Sequence, residues 1–285
     1  MSELERTTVD EKFTYKLHRH LINLMCYDSG DKARKTNGGR PVVYNFSAFV
    51  VELEGNWLAV TAGHVFDDLN KAIAAGGIIS HWHIDDSAVA EKEAPPLPIH
   101  LDLDSVFYLH DDVPGMDYAT FLLDPLTVRA LQAQGIVAIT ADLWEGNDFQ
   151  NYPHWILVGT PYIPELLHKG ATYEKYIMSI YLTQRQTPPD GIEQKEFPCL
   201  FADLDWGSVD GDNKPATIDG MSGGPIFALN VLNGDDYSYK LIGVQSSRNN
   251  SNSVAFCAMP PFLQALRDAA SKLDAGKSDG PATIS

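Results

Sequence analysis

The chain has 285 residues, 44% of them apolar and 10% aromatic, and its 21 Lys and Arg face 38 Asp and Glu for a formal net charge of −17. That length and composition predict one large or two modest globular domains and exclude a disordered or fibrous chain. The negative charge disfavours nucleic acid and anionic membrane surfaces as partners, and otherwise marks solubility alone.

Residues 1–26 are charged and lack the apolar centre of a signal peptide, and no run approaches the ~20 apolar residues of a membrane span. The cysteines, Cys26, Cys199 and Cys257, are odd in number, widely spaced and outside any CxxC pattern. They are expected to be reduced thiols in a cytoplasmic protein.

From Phe13, the apolar residues Leu17, Leu21 and Leu24 recur at helical spacing, which predicts an amphipathic N-terminal helix. On it, His18 and His20 are expected at the surface. Residues 29–41 form a polar, glycine-rich loop with Lys32, Arg34, Lys35 and Arg40, read as mobile rather than as a nucleic-acid patch. The β-branched and aromatic run VVYNFSAFVVEL, the turn Glu54-Gly55-Asn56 and the run WLAVTAGHV together predict a hairpin. DDLNKAIAAGG predicts a short helix, and EKEAPPLP a turn or edge segment. VFYLH and DYATFLL read as strands. Asp124 and Pro125 then supply an N-cap and an N1 proline for a helix ended by Gly135, placed to join two halves.

The strand-like runs IVAIT, HWILVGTP, YIMSIYL, LFADL, GGPIFALNV, YKLIGVQ and SVAFCAMP follow, interrupted by a long polar loop over residues 183–198. Pro260-Pro261 opens a last helix with Phe262, Leu263, Leu266, Ala269 and Leu273 on one stripe, and the tail after it is expected to fray. Many short strands with glycine- and proline-rich connections predict a mostly β protein of barrels or a sandwich.

Three strings carry chemistry: TAGHV at residues 61–65, MDYATFLL at 116–123 and DGMSGGPIF at 219–227. A serine hydroxyl becomes a useful nucleophile when an imidazole removes its proton, and a carboxylate fixes that imidazole's tautomer. His64, Asp117 and Ser222 supply those groups, in that order along the chain. Gly220, Gly223 and Gly224 permit a backbone turn that converges the N–H groups of Gly220 and Ser222 into an oxyanion hole.

These strings resemble those of chymotrypsin-fold, trypsin-like serine peptidases, over residues 42–259. TAGHV is similar to the family's TAAHC, MDYATFLL to its Asp-(Ile/Leu)-Ala-Leu strand, GMSGGP to GDSGGP, and LIGVQS at 241–246 to LVGIVS. The resemblance implies two antiparallel β-barrels flanked by N- and C-terminal helices. It divides the chain into residues 1–40 (helix and loop), 41–124 (first barrel), 125–260 (linker helix and second barrel) and 261–285 (helix and tail), together one peptidase unit. It also implies His64 as general base, Asp117 as its orienter, Ser222 as nucleophile and a polypeptide as substrate. No cofactor or metal is implied.

Two departures stand out. Val65 takes the place of a cysteine that secreted members pair across the hairpin, in line with a reducing compartment. Met221 replaces the aspartate that answers zymogen cleavage, so no such cut is expected. GxSGGP without that aspartate resembles the HtrA-like and glutamyl-endopeptidase branches, here of an intracellular prokaryotic type. It leaves as the alternative a partner-gated or inactive peptidase-like binding module in a signalling or defence system, with a regulatory protein partner. Ala216 stands where trypsin has its pocket acid, Thr217 matches a threonine of glutamyl endopeptidases, and Gln245 stands where those have a histidine. A small or medium apolar P1 residue is expected, with Ser246, Ser247 and Arg248 offering strand-like contacts to substrate backbone.

Other motifs read more plainly. GIISHWHIDD resembles the HxHxDH string of metallo-β-lactamase-fold hydrolases through His81, His83 and Asp85, but Asp86 replaces its last histidine, and an ordinary strand is the expectation. The acidic run at 202–215 fits no EF-hand spacing and reads as a solvated loop near the active site.

Overall fold

The computed structural model describes residues 11–85, 95–111, 115–146, 152–161, 177–197, 199–209, 217–232, 237–248 and 252–278. Helix α1 (Glu11–His18) buries Phe13 and Leu17 on one face, as their spacing predicts. It ends there. Leu21 and Leu24 belong instead to strand β1 (Leu21–Asp28), which lies between β2 (Val42–Leu53) and β4 (Ile79–Asp85). A strand buried on both faces shows no alternation, so its leucines mimic helical spacing until pairing decides the matter.

His20 is correspondingly buried, bonded through Nδ1 to the Val137 carbonyl (2.7 Å) and through Nε2 to Tyr239 Oη (2.9 Å). Half-buried His18 shares a 2.8 Å hydrogen bond with Ser179 Oγ. Neither is a free surface residue, because the short helix tucks the following step under the second half of the molecule.

The basic loop contains a six-residue helix, α2 (Asp31–Thr36). The β2–β3 hairpin forms as expected, with β3 at Asn56–Thr61. Glu54 (φ 50°) and Gly55 (φ 77°) take the left-handed pair of conformations that a two-residue hairpin turn needs. The WLAV strand stops at Thr61, and Gly63 already opens helix α3 (Gly63–Ala74), so His64 lies in a helix's first turn. Strand β5 (Leu97–Pro98) pairs with β4 at the sheet's edge, where proline is tolerated. The EKEA part of that segment lies outside the described residues. Strands β6 (Phe107–Asp111) and β7 (Met116–Leu122) complete an antiparallel seven-stranded sheet in the order β5-β4-β1-β2-β3-β7-β6.

Helix α4 (Pro125–Ala133) has the expected cap: Asp124 Oδ1 accepts from the Leu126 and Thr127 N–H groups at 2.8 and 3.1 Å. The IVAIT run makes no extended strand. Because β1 takes one edge of β2 only as far as Phe49, the short remainder of that edge leaves room for a single parallel bridge, Val51 to Ile139.

The second unit is a closed barrel of β8 (His154–Gly159), β9 (Met178–Arg185), β10 (Cys199–Asp205), β11 (Pro225–Val231), β12 (Tyr237–Arg248) and β13 (Ser253–Ala258), in the order β10-β13-β12-β11-β8-β9. Strand β9 runs on through Thr183 to Arg185, residues expected in a loop, and Arg185 there pairs with Asp203 of β10 at 2.9 Å. Helix α5 (Met259–Ser278) ends the described chain, with Phe262 and Leu263 buried. No helix among the described residues is long and apolar enough to cross a membrane.

The fold is therefore mostly β, a seven-stranded antiparallel sheet beside a closed six-stranded barrel, with few helices. Each unit has its own core. A third cluster, including Phe13, Leu17, Val60, Tyr118, Phe227, Leu241 and Phe262, draws on both and seals the seam. There Tyr118 stacks on Phe262 (centroids 4.2 Å apart) and donates to the Ala258 carbonyl at 2.6 Å.

Candidate active site

The seam brings the three strings together. Helix α3 begins after Ala62, whose side chain cannot cap it, so its first N–H groups need a partner from elsewhere. Asp117 of β7 supplies one. Its Oδ1 accepts the His64 backbone N–H at 2.7 Å, and its Oδ2 accepts from His64 Nδ1 at 2.8 Å. One carboxylate thus holds both the helix end and the ring, and its charge suits the positive end of the helix. This contact demands close approach: a Cβ on Gly63 would stand 2.2 Å from the Leu109 carbonyl oxygen of the β6–β7 hairpin.

A further donor reaches the same oxygen. Ser246 of β12 gives its hydroxyl to Asp117 Oδ2 at 2.5 Å, linking the barrel to the first sheet. Ser246 is therefore engaged with the aspartate rather than free for substrate. Its string, LIGVQS, was visible in the sequence, but a hydroxyl's partner across two units is not.

The electrostatics follow from this geometry. For Asp117 burial opposes ionisation, yet the hydrogen bonds from the His64 ring, Ser246 and the His64 backbone, with the ring's charge, hold the carboxyl below its usual range. For His64 burial disfavours the cation, but the Asp117 contact and the charges of Asp68 and Asp67 outweigh it and raise the pKa above 6.5. With Nδ1–H directed at Asp117, Nε2 is the nitrogen left to accept a proton. His110, which sequence reasoning did not single out, sits beside this ring (centroids 6.1 Å apart) with Nδ1 3.1 Å from Asp67 Oδ2.

The Ser222 turn lies against the residues that precede His64. Gly223 has φ 84°, and a Cβ there would stand 1.9 Å from Thr61 Oγ1 and 3.0 Å from the Ala62 nitrogen. No other residue fits that approach. The turn is fixed by Gly223 N–H to the Gln245 carbonyl (2.9 Å), Gln245 N–H to the Gly224 carbonyl (2.9 Å) and Gly224 N–H to the Met221 carbonyl (2.8 Å). Across the seam, Ser47 Oγ donates to the Gly220 carbonyl at 2.9 Å and accepts from the Thr160 N–H at 3.0 Å. Met221 is fully buried in the barrel core.

These bonds orient what remains. The Met221 carbonyl is held by Gly224, so the Ser222 N–H on the same trans peptide points the opposite way. Among the described residues, neither the Gly220 nor the Ser222 N–H finds an acceptor, and the half-buried Ser222 hydroxyl makes no hydrogen bond.

The other specificity candidates are scattered. Ala216 lies outside the described residues. Thr217 Oγ1 donates to Asp219 Oδ2 at 2.8 Å, shaping the entry to the turn. Gln245 is buried, and its Oε1 has no hydrogen-bond partner among the described residues. Ser247 is exposed and, with His64, Asp117 and Ser246, lines a cavity of about 200 Å³. Arg248 ends β12. Beyond Val244, β12 pairs among the described residues only with β13, which leaves its other edge at 246–248 without a strand partner there. His81, His83 and Asp85 lie on β4, and among the described residues no group of three or more His, Cys, Asp or Glu side chains is arranged to hold a metal. Of the acidic run, residues 210–215 lie outside the described residues.

No protein-family model and no curated protein matches this sequence. Solved structures do. The thermostable serine protease AL20 from an extremophilic microorganism is 14% identical (90% of this chain, 98% of that one, TM-score 0.46). The protease Anisep from Arthrobacter nicotinovorans is 13% identical (84% and 90%, TM-score 0.46). The Rv3671c protease in its inactive form is 13% identical (92% and 93%, TM-score 0.43). At this distance they are similar in outline only, and the functional reading rests on the geometry of the site.

Proposed function

We propose that this chain is a serine endopeptidase that cleaves polypeptides through an acyl-enzyme on Ser222, with His64 as general base and Asp117 as its orienting partner. The observation that carries this reading is the Asp117 carboxylate, which grips the ring and backbone of His64 together while the glycine turn that carries Ser222 packs against Thr61 and Ala62, just before that histidine.

In the proposed reaction, substrate backbone adds to the open β12 edge at Ser246–Arg248. Ser222 Oγ attacks the scissile carbonyl carbon as His64 Nε2 takes its proton, and Asp117 stabilises the imidazolium. The Gly220 and Ser222 N–H groups donate to the developing oxyanion, one such donor being worth about 2.7–4 kcal/mol of barrier. His64 returns its proton to the leaving amine, the C–N bond breaks, and water then hydrolyses the acyl-enzyme by the same exchange. Met221 supports a turn anchored by packing rather than by a charge created on chain cleavage. The free thiols and Val65 support a reducing compartment, the cytoplasm.

A fluorophosphonate probe tests the reading. It is expected to modify Ser222 in the native protein and to leave Ser222→Ala unmodified. Absence of label on native, folded protein would sink the proposal.

A further inference from the structure

Cys199 and Cys257 are direct cross-strand partners in β10 and β13. Directly opposed residues of an antiparallel pair have Cα atoms roughly 4.5 or 5.5 Å apart, and both values lie inside the window a disulfide requires. Both sulfurs point the same way: Cys257 Sγ is 3.3 Å and Cys199 Sγ 3.7 Å from the Gly115 carbonyl oxygen. Gly115 has φ 81° and immediately precedes β7, two residues before Asp117. Both thiols also line the cavity that holds His64 and Asp117, with Lys195 on the same wall.

We propose that Cys199 and Cys257 are an oxidisable dithiol, closed to a disulfide by peroxide, and that closure withdraws both S–H donors from the Gly115 carbonyl and so alters the setting of Asp117. The chemistry is balanced within the pair. Cys199 gives up its proton and the thiolate attacks one peroxide oxygen; the O–O bond breaks, a sulfenic acid forms, and the departing hydroxide takes up that proton and leaves as water. Cys257 sulfur then attacks Cys199 sulfur; the S–S bond forms, the S–O bond breaks and a second water carries away the Cys257 proton. Two thiols lose two electrons and two protons, and the peroxide takes them up.

Accessibility and acidity support the order of events. Cys199 is half-buried, whereas Cys257 is buried. The hydrogen bond from Cys257, with Lys195 adding its charge, lowers the Cys199 pKa against its burial, while that bond and burial raise Cys257. Cys26 is a built-in control: it is fully buried in the first unit, and burial pushes its pKa up to about 12.

The crosslink stands apart from the peptidase reading; only its effect on turnover rests on it. The full chain is treated with hydrogen peroxide, alkylated under denaturing conditions and digested without reduction. A Cys199–Cys257 linked peptide, Cys26 alkylated as in the untreated protein, and reversal by dithiothreitol are expected. Cys199→Ser is expected to abolish the link. Both thiols still alkylated, or Cys199 taken to sulfinic acid beside a free Cys257, overturns the proposal. The second readout is the titration midpoint of the His64 ring by NMR, which needs no enzymatic activity and is expected to move on oxidation and return on reduction. A link that forms with the midpoint unmoved overturns the control of Asp117. Fluorophosphonate labelling of Ser222 is expected to fall several-fold in the linked form. A protein that never labels in either state contradicts the peptidase reading while leaving the link and midpoint results intact.

Discussion

The two sides of the seam are built in opposite ways. On the first sheet, every oxygen of Asp117 is in use: His64 N–H on Oδ1, and the His64 ring with the Ser246 hydroxyl on Oδ2. On the barrel, the Ser222 turn is bonded through Gly223, Gly224 and the carbonyls of Gly220 and Met221, yet its hydroxyl and two of its N–H groups find no partner among the described residues. In the proposed reaction, the groups that keep one geometry are the saturated ones, and those that receive a substrate are the ones left open. A half-buried donor without a partner is costly, so the glycine-dependent packing on Thr61 and Ser47 has to hold the turn in place.

That contrast can be broken from either side. The largest effect belongs to the open side: Ser222→Ala is expected to lower kcat by about 10⁴- to 10⁶-fold with the fold unchanged, measured on a cleavable peptide and by circular dichroism. Gly223→Ala attacks the packing. Its Cβ has no space against Thr61 and a positive φ besides, so loss of activity together with a lowered Tm is expected. On the saturated side, Asp117→Asn is expected to cost about 10⁴-fold in kcat. Because the folded pKa of Asp117 lies below its ordinary value, its contribution to stability is present above the usual carboxylate range and fades as pH falls through the folded value. The Asn variant is expected to lose that part of the acid dependence in unfolding titrations. Ser246→Ala removes one hydrogen bond to a charged acceptor, roughly 1.5–3 kcal/mol, and is expected to reduce kcat by about 10- to 100-fold while leaving the His64–Asp117 contact in place.

The smallest effect is electrostatic. Activity needs neutral His64, whose pKa lies above 6.5, so the rate is expected to climb with pH through that raised value. Asp68→Asn removes one of the charges that raise it, and the acidic limb of kcat/KM is expected to shift to lower pH. A limb that stays in place contradicts the assignment of that limb to His64.

Much of the fold was legible because its signals are local. The Glu54-Gly55 turn, the Asp124-Pro125 cap and the glycines around Ser222 each impose a backbone conformation that the sequence announces. Leu21 and Leu24 misled for a physical reason: a strand covered on both faces has no period of two to read. His20 and IVAIT depended on distant partners, Tyr239 in the barrel and the short free edge of β2. The same holds at the site. The strings nominated His64, Asp117 and Ser222, and the first two are in contact, whereas the Ser246 hydroxyl on Asp117 and the Cys199–Cys257 pair exist only once strands far apart in the chain are aligned.

The central claim is that an open serine turn meets a pre-set histidine and aspartate. Site-resolved mass spectrometry after fluorophosphonate treatment, run across pH on the native protein, tests it most directly. Adduct is expected on Ser222 alone, rising with pH as His64 loses its proton and absent in Ser222→Ala. A native protein that carries no adduct, or carries it on another serine, contradicts the claim.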